Sequence, residues 1–193
     1  MNKVILISYN RHKFYEYQQM MKDFPLELVP LDPSFKGLLS EDGDTFEANA
    51  IQKVKAIHAP LNTLLFAEDS GLMIEALNGE PGVHSRRFSG LESDAANNQL
   101  VLERMKNVSQ RHAKFVAVIA YQDLNREIHL FKGECQGFIH TTSEGTEGFG
   151  YDPIFIPQGE SKTFGELGTD YKNQHSHRQQ AFMKLKKFLK ETL

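Results

Sequence analysis

The sequence predicts an α/β fold, because short apolar runs typical of strands alternate with segments in which apolar residues recur at helical spacing. A β-branched run over 3–8 is followed by a helical segment over 14–24 and by a second short strand over 26–30. Further along, 113–121 and 127–139 have the pattern of strands joined by a turn, which predicts an antiparallel pair. We therefore expect a sheet with helices packed against it.

The composition is that of an ordinary globular protein. The chain has 193 residues, 40% of them hydrophobic and 24% charged, and it shows no repeats or convincing linkers, which predicts a single domain spanning 1–193. A net charge of -3 gives no general attraction to nucleic acid or to an anionic membrane surface, so neither is expected as a partner. An anionic ligand must then be held by locally gathered cations or by a metal.

Cysteine use and hydropathy indicate where the protein works. Cys135 is the only cysteine, so an intrachain disulfide or a zinc-binding cysteine cluster is impossible. The apolar run that begins at Val4 gives way to polar residues within a few positions, and no run approaches the length of a membrane span. We expect a cytoplasmic protein in a reducing compartment.

The run from Thr63 to Ala67 leads directly into two carboxylates, Glu68 and Asp69. The run has the length and composition of a buried strand, and packing gives no reason for two charges where it ends. In open α/β sheets, ligands bind outside the carboxyl ends of strands, so both residues are candidates for a site. The alternative is that they form the solvated end of a strand.

A lysine lies on the apolar face of a predicted helix. Asp44 and Glu47 have the spacing of a capping box, which predicts where this helix begins. At about 100° per residue, Lys53 falls on the apolar stripe of the helix. Because a buried ammonium without an anion is costly, Lys53 either extends its amine to solvent or meets a negative charge. The acidic segment before the helix, which includes Glu41, favours the second outcome.

The junction between the first strand and the first helix is a possible phosphate site. Asn10 is suited to cap the helix, which places Lys13 in the first turn. Backbone N–H groups at such a junction suit a phosphate, although many α/β units have the same junction and bind nothing. Lys13 is therefore either a phosphate contact or a surface cation.

The segment from Gly145 to Pro153 is rich in glycine. Its glycines allow unusual backbone angles and the close approach of a ligand. Phe149 and Tyr151 are mounted on this frame and can stack on a base. The alternative is a hairpin loop whose aromatic residues pack inward.

Cations surround the start of the last predicted helix, which begins near Ser176: Lys172, His175, His177 and Arg178. Positive charge at a helix N-terminus opposes the macrodipole, which favours negative charge there. A phosphate-bearing ligand would remove the conflict, and Arg178 offers the bidentate fork suited to phosphate. Random placement on a surface helix is the alternative.

Acidic and basic candidates together suit a polyphosphate carried with a divalent metal. They come from separate segments and are Glu41, Glu68, Asp69, Lys13, Lys53, Lys172 and Arg178. Carboxylates bind Mg²⁺ through a few oxygens while water completes the octahedron, and lysine and arginine balance the remaining phosphate charge. A carboxylate beside the metal can orient or deprotonate a water molecule for attack on phosphorus.

A set of short segments resembles the inosine/xanthosine triphosphate pyrophosphatases in the order that the family has them, over nearly the whole chain. The segments are Ser8 to Lys13 with Glu16, Gly43 to Ala50 with Lys53, Ala67 to Leu72, Gly79 to Gly82, Gly148 to Phe155, Glu166 with Leu167, and Lys172 with Ser176 to Arg178. Each segment alone is weak, but together and in register they are a highly specific match.

The resemblance implies a Mg²⁺-dependent enzyme that cleaves deaminated purine nucleoside triphosphates (ITP, dITP and XTP) between the α and β phosphates. The products are the monophosphate and pyrophosphate, and the role is to clear these nucleotides before polymerases incorporate them. The implied fold is an elongated mixed central β-sheet flanked by helices, with two lobes and the active site in the cleft between them. The resemblance also implies a homodimer.

The resemblance assigns roles by position. Asp69 occupies the position that resembles the family's general base, which is also a metal ligand. Glu41 occupies the position that resembles the second carboxylate beside the metal. Glu68 stands where many members have aspartate, so its role as metal ligand or orienting group stays open. The remaining matches are Ser8, Asn10, Lys13, Lys53 and Ser70 for the triphosphate, and Phe149, Gly150, Tyr151, Asp152, Lys172, His177 and Arg178 for base and sugar.

The chemistry of a 6-oxo purine agrees with that set. The base offers an acceptor at O6 and a protonated N1, so it calls for a cationic donor beside a carboxylate such as Asp152, whereas the amino group of adenine would face a donor. Two alternatives remain: a related nucleotide pyrophosphatase with a different base preference, and a nucleotide-binding sensor that does not hydrolyse. A pure triphosphate binder gains nothing from an extra carboxylate facing phosphorus, which argues against the sensor.

Overall fold

The predicted α/β fold is confirmed in a computed structural model, which describes residues 2–35, 37–57 and 63–192. The strands are β1 (Asn2–Ile7), β2 (Leu26–Pro30), β3 (Leu64–Ile74), β4 (His112–Gln122), β5 (Ile128–Ile139) and β6 (Phe155–Pro157). The helices are α1 (Arg11–Met20), α2 (Phe46–Ala56), α3 (Asp94–Arg104), α4 (Phe164–Leu167), α5 (Thr169–His175) and α6 (His177–Thr192).

The six strands form one mixed sheet in the order β2-β1-β3-β4-β5-β6. β1 pairs in parallel with both β2 and β3, and β5 pairs antiparallel with β6. β4 and β5 are neighbours joined by a turn in which the Asp123 N–H donates to the Glu127 carbonyl (3.0 Å), as the predicted hairpin requires.

The course of β3 corrects the prediction that a strand ends at Ala67 and another covers 72–77. β3 continues through Glu68 and Asp69 to Ile74, and a 3₁₀ turn follows over Glu75–Leu77. The physical reason is that only the parallel partner ends here: Ile7, the last residue of β1, pairs with Ala67, while β4 is the neighbour of β3 on its other side. The two carboxylates therefore lie just past the end of β1, inside a strand that continues.

The helix starts agree with the predicted caps at two of three places. Asn10 caps α1, where its side chain accepts from the backbone N–H groups of His12 and Lys13. At the start of α3 the sequence offers two residues able to cap a helix, Ser93 and Asp94, and Ser93 is the cap. The prediction for α2 is wrong by one residue: Thr45, in an extended conformation, accepts from the Ala48 N–H, so Asp44 lies outside the cap.

The chain divides into two compact units. Unit 1 consists of Met1–Asp69, Ala117–Gly133 and Arg178–Leu193, and unit 2 of Ser70–Val116 and Glu134–His177. Unit 1 has its own core, which includes Leu6, Tyr17, Phe66, Ile119, Phe182 and Leu185. The core of unit 2 includes Leu72, Val101, Phe115, Tyr151, Phe155 and Phe164. That 1–193 acts as one functional domain stays a prediction.

Two features bear on the expected surroundings of the protein. In the part of the chain that the structure describes, no helix is both long enough and apolar enough to cross a membrane. Cys135 is a free, buried cysteine, and burial raises the pKa of its thiol to about 11. A thiol of this kind is a poor nucleophile, so Cys135 is a packing residue of unit 2.

Candidate active site

Asp69 is held in unit 1 by two side chains of α2. Its Oδ2 accepts a hydrogen bond from Asn49 Nδ2 (3.0 Å), and its Oδ1 accepts one from Lys53 Nζ (3.1 Å). Asn49 and Lys53 are four positions apart, so they lie on the same side of the helix. The Gly43 N–H donates to Asn49 Oδ1 (2.8 Å), which leaves the Asn49 amino group directed at Asp69. Both oxygens of Asp69 therefore have fixed partners.

The Lys53 ammonium is the centre of this arrangement. Its hydrogen bonds go to Glu41 Oε1 (2.7 Å), the Glu68 carbonyl oxygen (2.8 Å) and Asp69 Oδ1 (3.1 Å). Burial alone would lower the pKa of Lys53, but the carboxylates of Asp69 and Glu41 outweigh it, and the pKa is raised. Of the two outcomes that the sequence leaves open, Lys53 meets negative charge rather than solvent.

Glu41 and Asp69 both contact Lys53, and they are the two carboxylates that the resemblance assigns to a metal. Their oxygens approach Lys53 Nζ from separate segments, and the Glu41 side chain is 37% exposed, so solvent reaches it. Carboxylate oxygens are the ligands that Mg²⁺ prefers, with water completing its coordination. The residue types suit a divalent cation, and the assignment of both residues as metal ligands stays a prediction.

Glu68 faces the other way. Successive residues of a strand point to opposite sides of the sheet, so Asp69 meets α2 whereas Glu68 meets α1 and α6. The Arg178 guanidinium donates to both Glu68 oxygens, from Nε to Oε2 (2.6 Å) and from Nη2 to Oε1 (2.8 Å), and Tyr17 Oη donates to Oε2 (2.6 Å). Arg178 Nη1 also donates to Glu16. These hydrogen bonds suit an orienting role for Glu68, and its role as a metal ligand stays a prediction.

Arg178 is one of the most deeply buried side chains of the protein, at 1% exposed. Burial opposes its charge, but Glu68 and Glu16 outweigh that cost and raise the pKa of Arg178 well above its ordinary value. The Arg178 guanidinium therefore donates in the predicted forked geometry, but its partners are two carboxylates of unit 1. A contact between Arg178 and substrate stays a prediction.

Lys13 stands at the start of α1, beside Glu68. Its Nζ lies 3.4 Å from Glu68 Oε1, and burial lowers the pKa of Lys13 even though this carboxylate opposes the shift. Ser8 Oγ accepts from the Asn10 N–H (3.1 Å), and Asn10 Oδ1 accepts from the Lys13 N–H (3.1 Å). Three of the five residues that the resemblance assigns to the triphosphate thus form one turn.

A second cluster of predicted residues lies in unit 2. Lys172 Nζ donates to Asp152 Oδ2 (2.6 Å) and lies 4.1 Å from the centroid of the Phe149 ring. The Phe149 N–H donates to the same Asp152 oxygen (2.8 Å). A Cβ atom added to Gly148, which has φ 78°, would lie 2.1 Å from Asp152 Oδ2. The glycine is therefore needed for the approach of Asp152.

The other predicted residues of unit 2 have different surroundings. Tyr151 packs in the core, and its Oη donates to the Ser85 carbonyl (2.7 Å), so its ring follows the inward-packed alternative. His177 is buried and stacks on Phe115 with centroids 4.8 Å apart. Ser70 is partly buried within β3.

Three residues of unit 1 that hold the site were not singled out as site residues from the sequence. Asn49 orients Asp69, while Glu16 and Tyr17 contact the Arg178–Glu68 pair. The signal that could have found them is helical spacing. Asn49 lies four positions before Lys53, and Glu16 and Tyr17 lie three and four positions after Lys13, on the same side of α1.

A further group of potential metal ligands lies at the turn between β4 and β5. Ligand atoms of Asp123, Glu127 and His129 lie within 4.8 Å of one another, and His129 Nε2 is 3.1 Å from Asp123 Oδ2. The predicted metal residues do not belong to this group, which is tied together by its own hydrogen bonds.

Comparison with known proteins places the chain in a family. The family model described as the Ham1 family matches residues 4–188. The chain belongs to the Ham1 family. This membership confirms the resemblance inferred from the short segments, and the residues described above, from Lys13 to Arg178, all lie within the matched range.

Relatives of this Ham1 chain carry names that describe an activity. A protein of Acholeplasma laidlawii named dITP/XTP pyrophosphatase is 42% identical over 178 residues, which cover 92% of this chain and 88% of that protein. One of Oceanobacillus iheyensis with the same name is 39% identical over 98% of each chain. The solved structure of the Staphylococcus aureus Ham1 protein covers 100% of both chains with a TM-score of 0.87 and 37% identity.

Proposed function

We propose that this chain hydrolyses the deaminated purine nucleoside triphosphates ITP, dITP and XTP to the monophosphate and pyrophosphate. The observation that carries the proposal is the environment of Asp69, a carboxylate oriented by Asn49 and Lys53 and placed beside Glu41. Two relatives of nearly the same length that are named dITP/XTP pyrophosphatase support it. The proposed role is to remove deaminated purines from the nucleotide pool.

In this proposal Asp69 is the general base. It accepts the proton of a water molecule whose oxygen forms a bond to phosphorus, while the anhydride bond between the α and β phosphates breaks and pyrophosphate leaves. Lys53 fixes the positions of the Asp69 and Glu41 carboxylates, since it donates to both. Mg²⁺, when bound by Glu41 and Asp69, would neutralise charge on the phosphates.

The cations and the loop before α1 are proposed to hold the triphosphate. Lys13, Asn10 and Ser8 form one turn at the start of α1, and a helix N-terminus favours negative charge. Lys53 and Ser70 are proposed as further phosphate contacts. A phosphate bound beside Lys13 would offset the burial that lowers the pKa of this lysine.

The cluster in unit 2 is proposed to recognise the base and sugar. Lys172 supplies a cationic donor beside the Asp152 carboxylate, and the Phe149 ring offers a face for stacking. A 6-oxo purine can accept at O6 and donate from N1, whereas the adenine amino group would face a donor. Gly150, Tyr151 and His177 complete the proposed set in unit 2, and a contact of Arg178, in unit 1, with the base or sugar is proposed from the family resemblance.

We also propose, from composition and hydropathy, that residues 1–193 act as one functional domain and that the protein works in the cytoplasm, and, from the family resemblance, that it is a homodimer. We propose no nucleic-acid or membrane partner.

An assay of pyrophosphate release tests the function directly. We expect release from ITP in the presence of Mg²⁺ and loss of release when the metal is removed with a chelator. ATP is the matched control and should be turned over far more slowly. Equal turnover of ITP, XTP, GTP and TTP would overturn the base preference, and binding of ITP without release would favour the sensor.

Removing the proposed ligand-binding cations is expected to weaken substrate binding. Lys13→Ala and Lys172→Ala should each raise KM for ITP by roughly tenfold or more, because a hydrogen bond to a charged group contributes about 1.5–3 kcal/mol. Steady-state kinetics measures this effect. The exposed lysines Lys22 and Lys162, in unit 1 and unit 2, are matched controls as alanine variants. Unchanged KM in both test variants would remove the cation assignments.

A further inference from the structure

The loop that carries the proposed base-binding residues is held by α3. The Gly150 N–H donates to Asp94 Oδ2 (2.7 Å), and the Gly150 carbonyl accepts from Asn98 Nδ2 (3.0 Å). Asp94 and Asn98 are four positions apart, so one side of α3 presents both side chains. The backbone N–H and the carbonyl of Gly150 are thus both fixed by one helix within unit 2.

Gly150 is a position where such fixing matters. Gly148 and Gly150 have φ of 78° and 63°, a region that glycine enters freely, so this loop has more backbone freedom than other sequences would give it. Gly150 lies directly after Phe149, whose ring faces Lys172, and two residues before Asp152, which binds Lys172. A shift of Gly150 would therefore move both proposed base contacts.

We propose that Asp94 and Asn98 are positioning residues for purine recognition. They hold Gly150 so that the Phe149 ring and the Asp152 carboxylate keep their places beside Lys172. Asp94 and Asn98 therefore act on the base contacts through the loop backbone. The inference rests on the proposed function, since it assigns to α3 a share in the selectivity of that same reaction.

The two residues have opposite hydrogen-bonding roles, which gives matched variants. Asp94 acts as an acceptor, and an asparagine at this position keeps an acceptor oxygen of nearly the same shape. Asn98 acts as a donor, and an aspartate would place a carboxylate oxygen against the Gly150 carbonyl oxygen. Asp94→Asn should therefore be tolerated, whereas Asp94→Ala and Asn98→Asp should not.

Substitutions at the two residues also differ in how strongly they are expected to disturb folding. Asp94 is exposed, so its replacement by alanine leaves no buried cavity. Asn98 is 6% exposed, and a carboxylate there is costly to bury. Asp94→Ala therefore keeps the proposal open to refutation even if Asn98→Asp fails to fold. Gln99, an exposed residue of the same helix that contacts Glu103, supplies the control Gln99→Ala.

The experiment measures kcat and KM for ITP and for ATP in the wild type and these variants, together with thermal melting. For Asp94→Ala we expect KM for ITP to rise roughly threefold to tenfold, with a similar loss of preference for ITP over ATP and a smaller change in kcat. Asn98→Asp should show a larger loss of preference. Asp94→Asn and Gln99→Ala should resemble the wild type.

Two failures can be told apart. If wild-type protein releases pyrophosphate from ITP but Asp94→Ala and folded Asn98→Asp keep its preference for ITP over ATP, the proposed function stands and the positioning role is overturned. A lower melting temperature with an unchanged preference has the same meaning, because it describes a purely structural contact. If the wild type does not act on ITP, the proposed function itself fails and the inference falls with it.

Discussion

Asp69→Asn is expected to lower kcat for ITP by at least about 100-fold, the low end of what a general base contributes. Asparagine has nearly the shape of aspartate and keeps an oxygen that can accept from Asn49 or Lys53, so the fold should survive. It cannot take a proton from water at neutral pH, and it is a weaker ligand for a divalent cation. Single-turnover kinetics at saturating ITP and Mg²⁺ measures the loss in the chemical step.

The same carboxylate-to-amide change at Asp44 serves as the control for Asp69→Asn. Asp44 is exposed, belongs to unit 1 and lies outside the cap of α2, so Asp44→Asn should leave kcat unchanged. If Asp69→Asn retained most of its turnover, the base would have to be reassigned, with Glu41 as the next carboxylate.

Arg178→Met is expected to destabilise the protein by about 3–5 kcal/mol, the typical cost of removing one partner from a buried ion pair. Methionine fills part of the space, but the Glu68 and Glu16 carboxylates, 1% and 3% exposed, lose the guanidinium that balances their charge. Equilibrium unfolding in urea measures the change as a shift of the midpoint. Arg178→Lys should recover only part of it, because an ammonium cannot donate in a fork to both Glu68 oxygens.

An exposed arginine gives the control for this stability experiment. Arg86 pairs with Glu92 at 3.4 Å, with side chains 74% and 62% exposed, and Arg86→Met should cost less than about 1 kcal/mol. Wild-type stability of Arg178→Met together with a raised KM for ITP would contradict the structural role and favour direct substrate binding.

Local patterns in the sequence were sufficient for most of the secondary structure. Side-chain caps such as that of Asn10 depend on neighbours within a few positions, and helical spacing alone placed Lys53 on an apolar face. The sequence left two outcomes open for Lys53, extension to solvent or a negative charge, and the structure identifies Glu41 and Asp69 as its anionic partners. Here the cost of an unpaired buried charge was a reliable guide.

Predictions failed where distant segments decide the outcome. The end of a strand depends on its neighbours, so the continuation of β3 past Ala67 could not be read from the run itself. Arg178 was interpreted through its own helix terminus, whereas its partner Glu68 is 110 positions away in the chain. For Tyr151 the sequence allowed two orientations, and only the packing of unit 2 distinguishes them.

The interleaving of the two units limits how the gene can be divided. Unit 1 is drawn from Met1–Asp69, Ala117–Gly133 and Arg178–Leu193, so no single truncation or fusion point can release it intact. A fragment ending at His177 would lack Arg178, whose guanidinium binds both Glu68 and Glu16. Recombination can therefore transfer the two units together, but it cannot exchange one of them as a contiguous module.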